Sequence, residues 1–230
     1  MKKITGIKAI GFDGDQTLWD FQKVMRYSLR YTLAELEAAD PIAAASLSID
    51  KMIEIRNRVA DELTSKTVNL EEVRLEAFKA TLAEVGRPDD TLATYLNRVY
   101  LQHRFEDIEL YEDVLPTLTK LQEKYTIGLL SNGNSYPERC GLEGMFSFII
   151  FAQDHCVEKP DPRFYGIAVE KAGCSKDQLL NVGDSLNKDV IGAAEAGIKG
   201  VWLNRDRIKP EPHVEVEYEI SSLTELLQLL

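Results

Sequence analysis

Two carboxylates at a spacing of two residues are the first candidates for chemistry in this sequence. Asp13 and Asp15 directly follow the apolar segment Ile7–Phe12. Two acids placed just after a buried strand can divide the work of a reaction, because one can act as nucleophile and metal ligand while the other moves a proton. The alternative is a turn in which aspartate accepts hydrogen bonds from the backbone.

A second candidate follows a later apolar segment. Ser131, Asn132 and Gly133 come directly after Thr126–Leu130. A serine hydroxyl and successive backbone amides can together hold the oxygens of a phosphate group. A simple turn would use the same residue types, so the motif alone leaves both interpretations open.

Lys159 is the third candidate, and it precedes Pro160 and Pro162. A lysine beside two prolines is poorly placed for a helix interior. Its ammonium group can neutralise a phosphate or keep Asp13 ionised. The alternative is a solvated surface lysine, the commoner fate of this residue type.

Asp184 and Asp189 are the fourth candidates, and they follow the apolar segment Leu179–Gly183. Two carboxylates five residues apart can bind a hard cation such as Mg²⁺, which prefers oxygen ligands. Ser185 or Asn187 can cap a helix at this point, which is compatible with metal binding.

The elements that must position these residues alternate along the chain. Short apolar segments alternate with helical segments, which predicts a parallel sheet covered by helices on both faces. The predicted fold class is α/β, with a doubly wound Rossmann-like core. Ligands of such sheets bind outside the carboxyl ends of the strands, where all four motifs fall. The predicted strands are Ile7–Phe12, Thr126–Leu130, Phe148–Ala152, Leu179–Gly183, Gly200–Leu203 and Glu217–Ile220, and the predicted helices are Val114–Lys124, Arg163–Ala172, Lys188–Ala196 and Leu223–Leu230.

The stretch from about Asp20 to Arg104 has a different pattern. Apolar residues recur at helical spacing, and no segment resembles a strand. Asp40-Pro41 is predicted to interrupt the first helix, and Gly86-Arg87-Pro88 to separate two later ones, giving roughly four helices. The predicted organisation is therefore a core of residues 1–17 and 111–230 with an all-helical domain, residues 18–110, inserted after the first strand.

Bulk composition restricts the partners and the location. The net charge of -11 argues against nonspecific nucleic-acid binding, because phosphate backbones would be repelled. The three cysteines have no CxxC spacing, which fits a reducing compartment, and the three histidines form no zinc signature. No segment resembles a signal peptide or a membrane helix of about 18 apolar residues. We expect a cytoplasmic protein without a membrane partner, and the sequence gives no indication of an oligomeric state.

The four motifs, in this order, resemble those of the haloacid dehalogenase superfamily, specifically its phosphatase branch with a helical cap. The resemblance covers residues 5–17 and 111–230, and the helical stretch is similar to the mobile cap that the family inserts there. One residue departs from the pattern, since Gln16 replaces a common glycine. The matching motifs are Phe12-Asp13-Gly14-Asp15-Gln16-Thr17-Leu18, Gly128-Leu129-Leu130-Ser131-Asn132-Gly133, Lys159-Pro160-Asp161-Pro162, and Gly183-Asp184-Ser185 with Asp189.

The resemblance implies a Mg²⁺-dependent phosphomonoester hydrolase that acts on a small phosphorylated metabolite through an aspartyl-phosphate. Asp13 is then the nucleophile, and Asp15 protonates the leaving oxygen and later deprotonates water. The family pattern places Mg²⁺ on Asp13, the backbone carbonyl of Asp15, and Asp184.

The same resemblance assigns roles to the remaining motifs. Ser131, the amide of Asn132, and Lys159 hold the phosphoryl oxygens. Asp189 orients Lys159 or a metal-bound water. Substrate contacts come from the cap in this family. Trp19, Phe21 and Arg104 lie near the predicted domain junctions, either as pocket residues or as packing residues.

Three other functions compete with this one. A 2-haloacid dehalogenase would attack carbon with Asp13 and without a metal, but that branch lacks the acid that Asp15 provides here. A sugar-phosphate mutase would use the same residues and exclude water. A non-enzymatic binding protein would be favoured by loss of Asp13, Asp15, Lys159 or Asp184, and all four are present.

Overall fold

The chain forms two compact units in the computed structural model, which describes residues 3–63, 67, 69–210 and 214–230. The sheet unit comprises Met1–Asp20 and Leu110–Leu230, and the helical unit comprises Phe21–Glu109. Part of the predicted helical stretch, residues 64–66 and 68, lies outside the described residues, as does His213.

The sheet unit is built on one parallel sheet of six strands in the order β3-β2-β1-β4-β5-β6. The central strand β1 is buried throughout, and its last residue, Phe12, pairs with Leu129 on one side and Val182 on the other. The order reverses direction beside β1, which confirms the predicted doubly wound α/β fold. The strands are β1 (Ala9–Phe12), β2 (Thr126–Ser131), β3 (Phe148–Phe151), β4 (Leu179–Gly183), β5 (Lys199–Leu203) and β6 (Glu219–Ile220).

The helical unit contains four long helices and one single-turn helix among its described residues, and no strand. The short helix arises at the predicted interruption. Asp40 Oδ1 accepts hydrogen bonds from the N–H groups of Ile42 and Ala43 at 3.1 and 3.0 Å, so a new helix is capped where the proline ends the first. The helices are α1 (Phe21–Ala39), α2 (Pro41–Ala44), α3 (Ile49–Leu63), α4 (Leu70–Glu84) and α5 (Asp90–Glu106).

Further helices flank the sheet. None of the helices in the described residues is long and apolar enough to span a membrane. The α-helices are α6 (Val114–Leu121), α7 (Ala152–His155), α8 (Pro162–Ala172), α9 (Gly192–Glu195) and α10 (Leu226–Leu229), and 3₁₀ turns cover Pro137–Arg139, Lys176–Gln178 and Leu223–Glu225.

One predicted helix has a different geometry in the structure. The segment predicted as α-helical over Lys188–Ala196 begins with a π-helical turn, Leu186–Ile191, and becomes α-helical only at Gly192. This wider turn brings the side chain of Asp189 against Gly183 at the end of β4. A Cβ atom on Gly183 would lie 2.2 Å from Asp189 Cγ, so only glycine leaves room for this carboxylate.

Candidate active site

The carboxyl ends of the three central strands bring the candidate residues together. Asp13 follows β1, Ser131 ends β2, and Asp184 follows β4. Because β1 lies between β2 and β4, these residues occupy the switch point of the sheet, where ligands of doubly wound folds bind.

Lys159 is buried at the centre of this group, with 1% of its surface exposed. Its ammonium group donates to Asp13 Oδ1 at 2.7 Å and to Asp189 Oδ1 at 2.6 Å. The interpretation of Lys159 as a solvated surface lysine is therefore wrong. The lysine instead joins the first motif of the sequence to the fourth.

The electrostatics of the group reflect an excess of buried negative charge. Burial raises the pKa of Asp13 to about 8, Lys159 opposes this rise, and the carboxylates of Asp189 and Asp184 add to it. Burial also raises the pKa of Asp184 to about 6. Burial alone would lower the pKa of Lys159, but Asp13 and Asp189 hold it above its usual value. A cation among these carboxylates would relieve their repulsion.

Three carboxylates meet the chemical requirements of a hard cation. One oxygen from each of Asp13, Asp184 and Asp189 lies within 4.8 Å of the others. Mg²⁺ prefers oxygen ligands and keeps several waters, so a site formed by a few carboxylates fits it. The cluster includes two of the three residues expected as metal ligands and adds Asp189, which was expected to orient other groups.

Asp189 has several partners that fix its position. Its Oδ1 accepts from Lys159, and its Oδ2 accepts from the N–H of Ser185 at 3.2 Å. Its backbone carbonyl accepts from the side chain of Asn181 at 2.9 Å. These contacts suit a residue that holds Lys159 in place. The contact that Asn181 makes with Asp189 could not be predicted from the sequence.

Asp184 is held from both sides by residues whose contacts the sequence does not reveal. Thr17 Oγ1 accepts from the N–H of Asp184 at 3.1 Å and donates to its Oδ1 at 3.4 Å. The indole N–H of Trp202 donates to the carbonyl of Asp184 at 2.8 Å. Arg205, in turn, donates to the carbonyl of Thr17 at 2.9 Å. Thr17 belongs to the first motif and Trp202 follows the fourth. Their position relative to these motifs is the only feature of the sequence that indicates a role for them in the site.

Ser131 can offer its side-chain hydroxyl to a phosphate, whereas the side chain of Asn132 is engaged elsewhere. Ser131 is buried, and its Oγ accepts from the N–H of Gly133 at 2.9 Å. The side chain of Asn132 donates to the carbonyl of Lys159 and accepts from its N–H, both at 2.9 Å. This pair of bonds anchors the backbone of Lys159. The group of Asn132 expected to contact phosphate is accordingly its backbone amide, not its side chain.

Asp15 is oriented by a residue of its own loop. The indole N–H of Trp19 donates to Asp15 Oδ1 at 2.7 Å, and Trp19 is fully buried. Of the other two residues near the predicted junctions, both in the helical unit, the Arg104 guanidinium lies 5.1 Å from the ring centroid of Phe21. Arg104 is buried as well.

Gln16, the departure from the family pattern, has a backbone φ of 63°. This left-handed conformation is costly for residues with a Cβ atom and free of that cost for glycine. We expect Gln16→Gly to be more stable than Gln16→Ala by about 1 kcal/mol. Both variants lose the same side chain, so the difference in their free energies of unfolding in urea isolates the backbone. Equal stabilities would contradict the assigned conformation.

Sequence comparison gives one family and many relatives. The family model described as haloacid dehalogenase-like hydrolase matches residues 7–197. The chain is similar to YigB of Escherichia coli strain K12, a 5-amino-6-(5-phospho-D-ribitylamino)uracil phosphatase, with 27% identity over 234 residues that cover 96% of each protein. Other curated relatives are also named as phosphatases or nucleotidases.

Two solved structures share the fold over nearly the whole chain. A 2-haloacid dehalogenase from Pseudomonas syringae pv. tomato DC3000 has a TM-score of 0.81 and 28% identity, and the match covers 97% of each chain. The HAD-hydrolase YfnB from Bacillus subtilis, whose structure was determined with bound magnesium, has a TM-score of 0.76 and 26% identity. That match covers 97% of this chain and 98% of YfnB.

Proposed function

This chain belongs to the haloacid dehalogenase-like hydrolase family, and from that premise we propose that it is a phosphatase that hydrolyses small phosphorylated metabolites with Mg²⁺ through an aspartyl-phosphate on Asp13. The observation that carries the proposal is the carboxylate cluster. Asp13 and Asp189 contact the ammonium group of Lys159, and an oxygen of Asp184 lies within 4.8 Å of an oxygen of each, a set of carboxylates that suits a divalent cation. Phosphoryl transfer uses such a cation, whereas displacement of a halide from carbon does not.

In the proposed first step, an oxygen of Asp13 attacks phosphorus in line, and the ester oxygen leaves. Asp13, Asp184 and the backbone carbonyl of Asp15 would hold Mg²⁺, whose charge offsets the repulsion between the Asp13 carboxylate and the phosphate dianion. Lys159 contributes a further positive charge, because its ammonium group is fixed beside Asp13. Asp189 keeps that ammonium group in position.

Asp15 carries the proton in both steps. It protonates the ester oxygen as the P–O bond breaks, and it then accepts a proton from the water that attacks the aspartyl-phosphate. This second attack releases inorganic phosphate and restores Asp13. Ser131 Oγ, the amide of Asn132 and Lys159 are the proposed donors to the phosphoryl oxygens.

The dehalogenase alternative has structural similarity in its favour, since the similar structures include a 2-haloacid dehalogenase at 28% identity and further dehalogenases at lower identity. Asp15 argues against it in this chain, because a halide leaves without a proton and needs no second acid. A sugar-phosphate mutase would use the same residues as a phosphatase and differ only in excluding water.

We also propose the functional division expected from the sequence. Residues 1–17 and 111–230 would form the catalytic core, and residues 18–110 would be the cap that selects the substrate. Small phosphorylated molecules are the proposed class, and YigB is an example of a relative named for such a substrate.

The test is phosphate release from p-nitrophenyl phosphate and from a panel of nucleoside monophosphates, sugar phosphates and phosphoglycolate. We expect release with Mg²⁺, a loss of about 100-fold or more in EDTA, and recovery when Mg²⁺ is restored. Chloride release from 2-chloropropionate in EDTA would instead identify a dehalogenase. An isomerised sugar phosphate without free phosphate would identify a mutase.

A further inference from the structure

The two oxygens of the Asp15 carboxylate have different surroundings. Oδ1 accepts a hydrogen bond from Trp19 Nε1 at 2.7 Å and one from Ser135 Oγ at 3.4 Å. An indole N–H can only donate, so Oδ1 must act as an acceptor whenever this contact is present. The carbonyl oxygen of a protonated carboxyl is a better acceptor than its hydroxyl oxygen, so this contact favours a proton on the other oxygen, Oδ2.

That other oxygen lies beside the proposed phosphate site. A Cβ atom built on Gly133 would lie 2.8 Å from Asp15 Oδ2 and 3.1 Å from Ser131 Oγ. Both oxygens thus lie next to the same backbone position. Oδ2 therefore borders the same backbone position as the Ser131 hydroxyl, one of the proposed donors to the phosphoryl group.

Trp19 has little freedom to move away from Asp15. Its side chain is fully buried, and its carbonyl accepts from the N–H of Gln16 at 2.8 Å. Its backbone also forms β-bridges with Asp15 and with Leu110. The indole donor is therefore held by the same short loop that carries the carboxylate, and rotation of Asp15 would break the bond.

We infer that Trp19 is a positioning residue that fixes Asp15 so that Oδ2 carries the transferred proton. The inference rests on the proposed function, in which Asp15 is the acid and base. In the first step the O–H bond at Oδ2 breaks, and its proton goes to the ester oxygen as the P–O bond breaks and Asp13 bonds to phosphorus. In the second step a water proton returns to Oδ2 as the water oxygen replaces Asp13.

A purely structural role for Trp19 predicts a different experimental result. General damage to the site slows every substrate by a similar factor. Misplacement of the acid slows mainly those substrates whose leaving group needs a proton. Phenyl phosphate and p-nitrophenyl phosphate are similar in shape, but phenolate is the poorer leaving group. The ratio of their kcat/KM values therefore reports on proton donation, and kcat/KM includes the step in which the leaving group departs.

The experiment compares Trp19→Phe with the parent protein in Mg²⁺. We expect kcat/KM for phenyl phosphate to fall about 10- to 100-fold and that for p-nitrophenyl phosphate to fall less than about 3-fold, since general acid catalysis contributes about 100-fold or more. Trp202→Phe is the matched control, because its indole N–H donates to the carbonyl of Asp184 and not to Asp15. Any loss in this control should be the same for both substrates.

A second replacement separates the hydrogen bond from the packing of the ring. Benzothienylalanine at position 19 keeps the bicyclic shape and has sulfur in place of the N–H group, so it should fold and show the same selective loss. An equal loss on both substrates, or no loss, in a folded variant overturns the inference. Failure of the proposed function gives a different result, because the parent protein would then release phosphate from neither substrate.

Discussion

Asp13→Asn is expected to abolish phosphate release and to stabilise the protein in EDTA. The amide cannot form the phosphoryl intermediate, so activity should fall about 10,000-fold or more. The same change removes one of the two buried carboxylates that share Lys159, beside the partly buried Asp184, while Asn keeps the shape and Lys159 keeps its bond to Asp189. The free energy of unfolding should rise by about 1–3 kcal/mol, which is about 2–12 °C in Tm for a chain of this size.

The gain in stability from Asp13→Asn should depend on pH in a defined direction. Burial raises the pKa of Asp13 from 3.8 to about 8, so the folded parent binds a proton that the unfolded chain has lost between these values. The folded parent is consequently destabilised as pH rises through this window, and the effect levels off above pH 8. Thermal unfolding in EDTA should show a larger difference between variant and parent at pH 8 than at pH 5. A variant less stable than the parent at pH 8 would contradict the conclusion that the ionised Asp13 carboxylate destabilises the folded protein.

Lys159→Met is expected to have the opposite effect on stability. It removes the ammonium group from between Asp13 and Asp189 and leaves Asp189, which is 1% exposed, without its cationic partner. Breaking a buried ion pair in this way costs about 3–5 kcal/mol, and activity should be lost as well. The free energy of unfolding in urea, measured in EDTA, is the readout.

Two further variants make the Lys159 experiment specific. Adding Asp189→Asn to Lys159→Met should restore part of the lost stability, because the buried Asp189 carboxylate that has lost its cationic partner is then replaced by a neutral amide. Lys188→Met changes an exposed lysine close by in sequence and should alter stability by less than about 0.5 kcal/mol. A Lys159→Met variant as stable as this control would show that the buried ion pairs do not form in solution.

Local rules were sufficient to predict the sheet and the placement of most of the site. The apolar segments before Asp13, Ser131 and Asp184 are strands β1, β2 and β4, and a parallel sheet necessarily aligns their carboxyl ends. The break at Asp40-Pro41 was equally predictable, because both the proline and the capping carboxylate act on adjacent residues.

Contacts that depend on the folded chain could not be predicted in this way. Helical periodicity predicts an α-helix from Lys188, and the π-helical turn that places Asp189 depends on packing against Gly183. The bond from Arg205 to the carbonyl of Thr17 joins residues 188 positions apart, which no local pattern encodes. Trp19 and Asp15, which share a hydrogen bond, are only four residues apart. Nothing in the residue types, however, distinguishes a tryptophan that makes this bond from one that is simply buried in an apolar core.

The chain leaves the sheet unit and returns to it at adjacent points. Trp19 forms an antiparallel bridge with Leu110, and the N–H of Tyr111 donates to the carbonyl of Leu18 at 3.1 Å. An insertion whose ends lie this close together can be accommodated without disturbing the pairing of β1 with β2. The segment Phe21–Glu109 can thus be exchanged or enlarged as a module without any change in the register that aligns Asp13 with its partners.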